Sequence, residues 1–123
     1  MQIVVHEINH MKFIVLLCLL VSLSCAAADG QGHYQVLGRG TISCGSLVEA
    51  REQKDRLSIL LVSDWVNGYL TALNNTTDGV NDLTEGLDLA ARDEWLLKYC
   101  KDNPLDNLAA AAEKLSHELK SRR

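Results

Sequence analysis

The chain has no Cys-x-x-Cys pair, no glycine-rich phosphate loop, no run of alternating apolar and polar residues and no internal repeat. The first absence argues against a thiol pair tuned for redox turnover. The second removes the usual cradle for a nucleotide phosphate. The third leaves helical periodicity as the only secondary-structure signal. Histidine is scarce, and His33 and His117 stand too far apart to suggest a metal-binding set. Charge of one sign is in small excess, 12 Lys and Arg against 16 Asp and Glu, for a net charge of −4. Such a balance provides no electrostatic footprint for nucleic acid. The one basic stretch, 120–123, reads as a helix end complementing the backbone dipole. Asp88, Asp93 and Glu94 lie close in sequence, but no nucleophile or histidine accompanies them, and they read as a solvated helix face. No catalytic residue, cofactor or metal is assigned, and the chain is not expected to be an enzyme.

One long apolar run is present, near the start. Met11-Lys12 forms a compact basic lead and 13–23 an apolar core of the length a secretion signal needs. Ala26 and Ala28 supply the small-x-small pattern, so cleavage is expected between Ala28 and Asp29. Residues 1–10 contain Glu7 and two histidines and fit poorly in such a signal, which makes Met11 an alternative start. The run is shorter than the roughly 18–20 residues of a membrane span. Lipoprotein processing at Cys25 is the less favoured route, because Ser22 is a poor residue three positions upstream. Residues 1–28 are therefore read as a signal peptide, the location as the periplasm, and no stable membrane insertion is expected after cleavage.

Two of the four cysteines remain beyond that signal, Cys44 and Cys100. A lone pair in a small exported chain is most simply one structural disulfide. Residues 29–40 are glycine-rich and polar and read as a flexible arm, and 41–123 as the helical domain. Four segments in that domain carry helical period. The first spans about 43–53, with Ser43 as its N-cap. The second spans about 55–74, with Leu57, Leu61, Trp65, Gly68 and Ala72 as its apolar stripe and Gly68 permitting close helix packing. The third spans about 87–100, with Trp95, Leu96, Tyr99 and Cys100 on one side. The fourth is expected to begin with Asn103 as N-cap and Pro104 as first helical residue, and to bury Leu105, Leu108, Ala112, Leu115 and Leu119. The fold class is all-α: a small four-helix domain with one disulfide behind a cleaved signal peptide.

The order Cys44 and Leu47, then Trp65-Val66-Asn67-Gly68-Tyr69, then Tyr99-Cys100-Lys101-Asp102-Asn103-Pro104 and Leu108, resembles the HdeA/HdeB family over about 41–119. These are small periplasmic helical proteins that act as acid-activated chaperones. The same frame, Gly68-Tyr69 and the Pro104-anchored helix above all, also resembles the Rap1a/Tai immunity proteins, which neutralise secreted amidase effectors. The first resemblance implies a protein that opens at low pH and binds unfolded clients. Trp65, Tyr69 and Trp95 would be the apolar surface shown to them, although an aromatic stripe at helical spacing is more often core. The second resemblance implies a neutral-pH binder using the loop at 75–86, with Asn75, Asp78, Asn81 and Asp82 facing the effector. The expected partners are thus other proteins, with a homodimer as a further form. A structural envelope protein with neither activity is a third reading.

Overall fold

The computed structural model describes Gln31 and residues 33–123. The chain divides into two units, Met1–Gln35 and Val36–Arg123. Of the first, only Gln31 and residues 33–35 are described, and these are neither helix nor strand. The signal segment 1–28, its Ala28/Asp29 junction, Cys18 and Cys25 lie outside the described residues.

The second unit opens with a short 3-10 helix, Gly38–Thr41, followed by four α-helices: α1 (Cys44–Glu52), α2 (Arg56–Thr76), α3 (Leu89–Asp102) and α4 (Leu108–Ser121). The unit is all-helical. The 3-10 helix occupies the end of the segment expected to be a flexible arm. There Gly40 is buried, because a Cβ on it would lie 2.2 Å from Trp65 Cζ2, and the Trp65 indole N–H donates to the Leu37 carbonyl at 2.9 Å.

Each helix starts where a short polar side chain can take up an orphan N–H of the first turn. Ser43 Oγ accepts from the Ser46 amide at 3.1 Å, Asp55 Oδ1 from Ser58 at 3.2 Å and Asp88 Oδ1 from Ala91 at 2.7 Å. The turn between α1 and α2 closes through Lys54, which has φ 56°, a left-handed conformation that a side chain makes costly.

The fourth helix corrects the expected boundary. Its N-cap is Asn107, whose Oδ1 accepts from the Ala110 amide at 2.9 Å, and not Asn103. The cause lies elsewhere in the chain. Residues 103–107 form a turn against the start of α1, where the Cys44 amide donates to Asp106 O (2.7 Å) and Gly45 to Pro104 O (3.0 Å). The Leu108 amide donates in return to Ile42 O at 2.9 Å. The carbonyls of this turn thus serve the first N–H groups of α1, and Leu105, expected in the core, is 97 % exposed.

The core stripe of α2 is also rotated from expectation. Val62, Ser63, Val66 and Leu70 are buried, Leu61, Trp65 and Leu73 are half-buried, and Leu57, Leu60, Gly68 and Ala72 are exposed. A Cβ on Gly68 would meet nothing within 4 Å, so this glycine does not serve close packing. The helix carries apolar residues on several sides, and only contact with the other helices selects among them.

The centre of the core holds Val66, Leu96, Leu108, Leu115 and the two cysteines. Cys44 and Cys100 are bonded, both fully buried, with Cα atoms 4.6 Å apart. Ala109, Ala111 and Ala112 bring the backbone of α4 close to its neighbours.

Candidate functional site

The least expected feature of the core is an arginine. Arg92, on the first turns of α3, is only 4 % exposed. Its place follows from spacing, since Arg92, Leu96 and Cys100 recur every four residues on one face of α3. Across from it, buried Ser63 and exposed Asn67 stand four apart on α2. The guanidinium donates to Ser63 Oγ at 2.6 Å, to Asn67 Oδ1, and twice to Asp93 Oδ1, at 2.7 Å and 3.1 Å. Ser63 Oγ in turn donates to Asp93 Oδ1 at 3.5 Å. The cation is therefore paired and hydrogen-bonded, as a buried charge must be. Among the described residues no buried side-chain polar atom is left without a partner. Chemically the cluster is a clamp of α2 onto α3, with Asp93 as its one carboxylate.

Sequence reasoning placed Asp93 on a solvated face and gave Arg92 no role. The available signal was Ser63 interrupting the apolar side of α2, opposite an arginine in line with Leu96 and Cys100.

Two open grooves flank the clamp. One of about 220 Å³ is lined by Asn67, Thr71, Asn74, Thr84, Asp88 and Arg92 among others. The other, about 580 Å³, is lined by Leu57, Leu60 and Leu89 with Arg51 and Arg56. Beneath α1 and α3 a void of about 10 Å³, apolar in lining, has room for about one water.

The residues expected to meet clients, Trp65, Tyr69 and Trp95, are joined by Tyr99 in two stacked pairs. Trp65 lies on Tyr69 with ring centroids 5.9 Å apart, and Trp95 on Tyr99 at 5.6 Å. All four are half-buried and pack against the core cluster. They border the core in the folded protein and offer no exposed stripe. Tyr99 is further held by its hydroxyl, which donates to Asp106 Oδ2 at 2.6 Å. That bond, with burial and the carboxylate's charge, raises the phenol above its usual range.

The expected effector loop occupies 77–88, with Asn75 still on α2. Asn75, Asp78 and Asn81 are exposed. Asp82 is exposed as well, and its carboxylate accepts the Thr84 hydroxyl at 2.7 Å and amide at 2.8 Å, bonds that hold its carboxyl below the usual range. The loop is pinned at its middle, where Leu83 is buried and its amide donates to Asn74 Oδ1 at 2.9 Å. Arg123 donates to the Asp82 carbonyl.

The remaining acidic residues near α3 are divided: Asp88 caps the helix, and Glu94 pairs with Arg51 of α1. His117 lies 3.6 Å from Glu113 on α4 and His33 is exposed. Among the described residues no group of three or more metal-binding side chains gathers. Nor does any described helix have the length and apolarity to cross a membrane. No protein-family model, curated protein or solved structure matches the chain.

Proposed function

We propose that this protein is an exported, acid-opened chaperone that binds unfolded proteins, as its resemblance to the HdeA/HdeB frame implies. The observation that carries the reading is the Arg92 clamp: a buried guanidinium whose only carboxylate among the described residues is Asp93. Acid neutralises carboxylates and leaves arginine charged. A buried cation stripped of its counter-charge is strongly destabilising, and here it sits between α2 and α3.

Other carboxylates act in the same direction. Asp55 caps α2, and its bonds to Ser58, aided by the nearby charge of Arg39, hold its carboxyl below the usual range. Asp82 is lowered by its bonds to Thr84. A depressed folded-state value means that the stabilisation is present above the unfolded value, about 4, and is lost as pH falls through the folded one. Near pH 2 the side chains carry only positive charge, and self-repulsion loosens the helices while the disulfide keeps α1 beside α3. The Trp65–Tyr69 and Trp95–Tyr99 pairs, half-buried at neutral pH, then become apolar surface for clients.

The test is light scattering from an acid-sensitive protein at pH 2–3, with and without the oxidised chain. Suppressed aggregation that vanishes at pH 7 supports the reading. An unchanged scattering curve, or an apolar dye that finds no new surface between pH 5 and pH 2, sinks it.

A second reading, a binder of one secreted effector at neutral pH, draws on the pinned 77–88 loop. Leu83 and Asn74 fix its shape while Asp78 and Asn81 remain exposed. Preorganisation of that kind lowers the ordering cost of binding. Capture at pH 7 of a single partner that Asp78→Ala and Asn81→Ala release would favour this reading over promiscuous acid binding.

A further inference from the structure

Six large hydrophobic side chains are exposed among the described residues, and three of them belong to one place. Leu57 and Leu60 of α2 and Leu89 of α3 are 66 %, 56 % and 57 % exposed, and all three line the open groove of about 580 Å³. Single exposed leucines are ordinary, whereas leucines gathered from two helices into one groove offer a place for an apolar partner. Ile59 lies beside them, and Arg51 and Arg56 line the same groove.

The charges around this groove are unequal in availability. Asp93 is committed to Arg92, and Glu94 to Arg51. Arg56 forms no ion pair among the described residues, although the chain as a whole has acidic residues in excess. The groove therefore presents aliphatic surface plus one unspent cation. We propose that it docks an amphipathic helix of a partner protein, with aliphatic side chains against Leu57, Leu60 and Leu89 and a flanking carboxylate on Arg56. Leu57 and Leu60, three apart, form a ridge of one helical turn, and Leu89 faces it from α3. That arrangement suits a helix laid into a groove with anchors at i, i+3 or i+4, and i+7. A second copy docked groove on groove fits less well, because it would bring another Arg56 toward carboxylates already engaged. The proposal concerns the folded protein at neutral pH and depends neither on acid opening nor on the 77–88 loop.

The probe is a fluorescein-labelled synthetic helix with leucines at i, i+3 and i+7 flanked by glutamates, compared with a twin in which lysines replace the glutamates. Anisotropy is read at pH 7 and low salt with the oxidised full chain. Saturable binding is expected, with the glutamate helix tighter by about threefold to fivefold, the range an exposed ion pair supplies. Arg56→Glu reverses the preference, and Leu60→Asp weakens both helices by about tenfold or more. Both positions are exposed, so unchanged far-UV circular dichroism is expected, and Leu89→Ser provides an independent variant with the same loss. No saturable binding, equal affinity for the two helices, or binding indifferent to Leu60→Asp and Leu89→Ser would each overturn the proposal. So would a dimer in sedimentation that Leu60→Asp dissolves, since the groove would then belong to a second copy.

Discussion

The two ends of the helical unit are held together by different physics. Around Cys44 and Cys100 the protein is sealed: a covalent bond, alanines of α4, leucines at full burial and backbone hydrogen bonds that join 42–45 to 104–108. Around Arg92 it is held by charge and side-chain hydrogen bonds, with a groove on each side and three leucines left outside. One end is thus held mainly by a covalent bond and apolar burial, the other by an ion pair and side-chain hydrogen bonds, within one small domain.

The largest effect expected from breaking this contrast is at the sealed end. The disulfide spans a sequence separation of 56. Its replacement by Cys44→Ala and Cys100→Ala lowers unfolding free energy by about 4 kcal/mol through loop entropy. Urea denaturation at pH 7 checks this, and the loss should be similar at pH 5.

At the polar end, Asp93→Asn leaves Arg92 buried without a counter-charge and costs about 3 kcal/mol at pH 7. Urea denaturation at pH 7 checks this, and an unchanged midpoint would show that Asp93 does not hold the guanidinium. Arg92→Met, which removes the charge together with its need for a partner, should be milder than Asp93→Asn at pH 7.

Gly40→Ala drives a methyl into the Trp65 ring and costs about 2 kcal/mol, the usual penalty of overpacking. Tryptophan fluorescence and thermal melting would register it, and an unaltered melt would show that the 3-10 helix does not stay on α2. The smallest effect carries the opposite sign. Gly68→Ala adds a methyl in open space within a helix and stabilises by about 1 kcal/mol, read as a higher urea midpoint.

Much of the fold was legible because helix starts are written locally. Ser43 signalled its helix directly, and the proposed start of the second fell on Asp55. Asn103 and Asn107 are chemically the same cap, and what selects Asn107 is pairing with residues 42–45, distant in sequence and invisible to a local rule. The inner face of α2 was missed for a related reason. Leu57, Leu60, Leu61, Val62, Trp65, Val66 and Leu70 surround the helix, so periodicity admits more than one stripe and tertiary contact decides. The clamp was the hardest to read. A charged residue is normally taken as surface, and only the i, i+4 line from Arg92 to Leu96 and Cys100 places it inside. The aromatic pairs agreed with the ordinary expectation for such stripes, packing at the edge of the core.

The position of the disulfide along the chain also has a topological consequence. Cys44 is the first residue of α1, and Cys100 lies two residues before the end of α3. The bond therefore closes a ring that contains α1, α2 and nearly all of α3, and α4 lies outside it. No amount of unfolding can open that ring without reduction, whereas α4 is held to it without a covalent cross-link. Its attachment rests on the Leu108 amide, the burial of Leu108, Leu115 and Leu119, and the Arg123 bond to the Asp82 carbonyl. Departure of α4 would bare two matching apolar surfaces at once, the helix and the bed it leaves, while the ring preserved the way back.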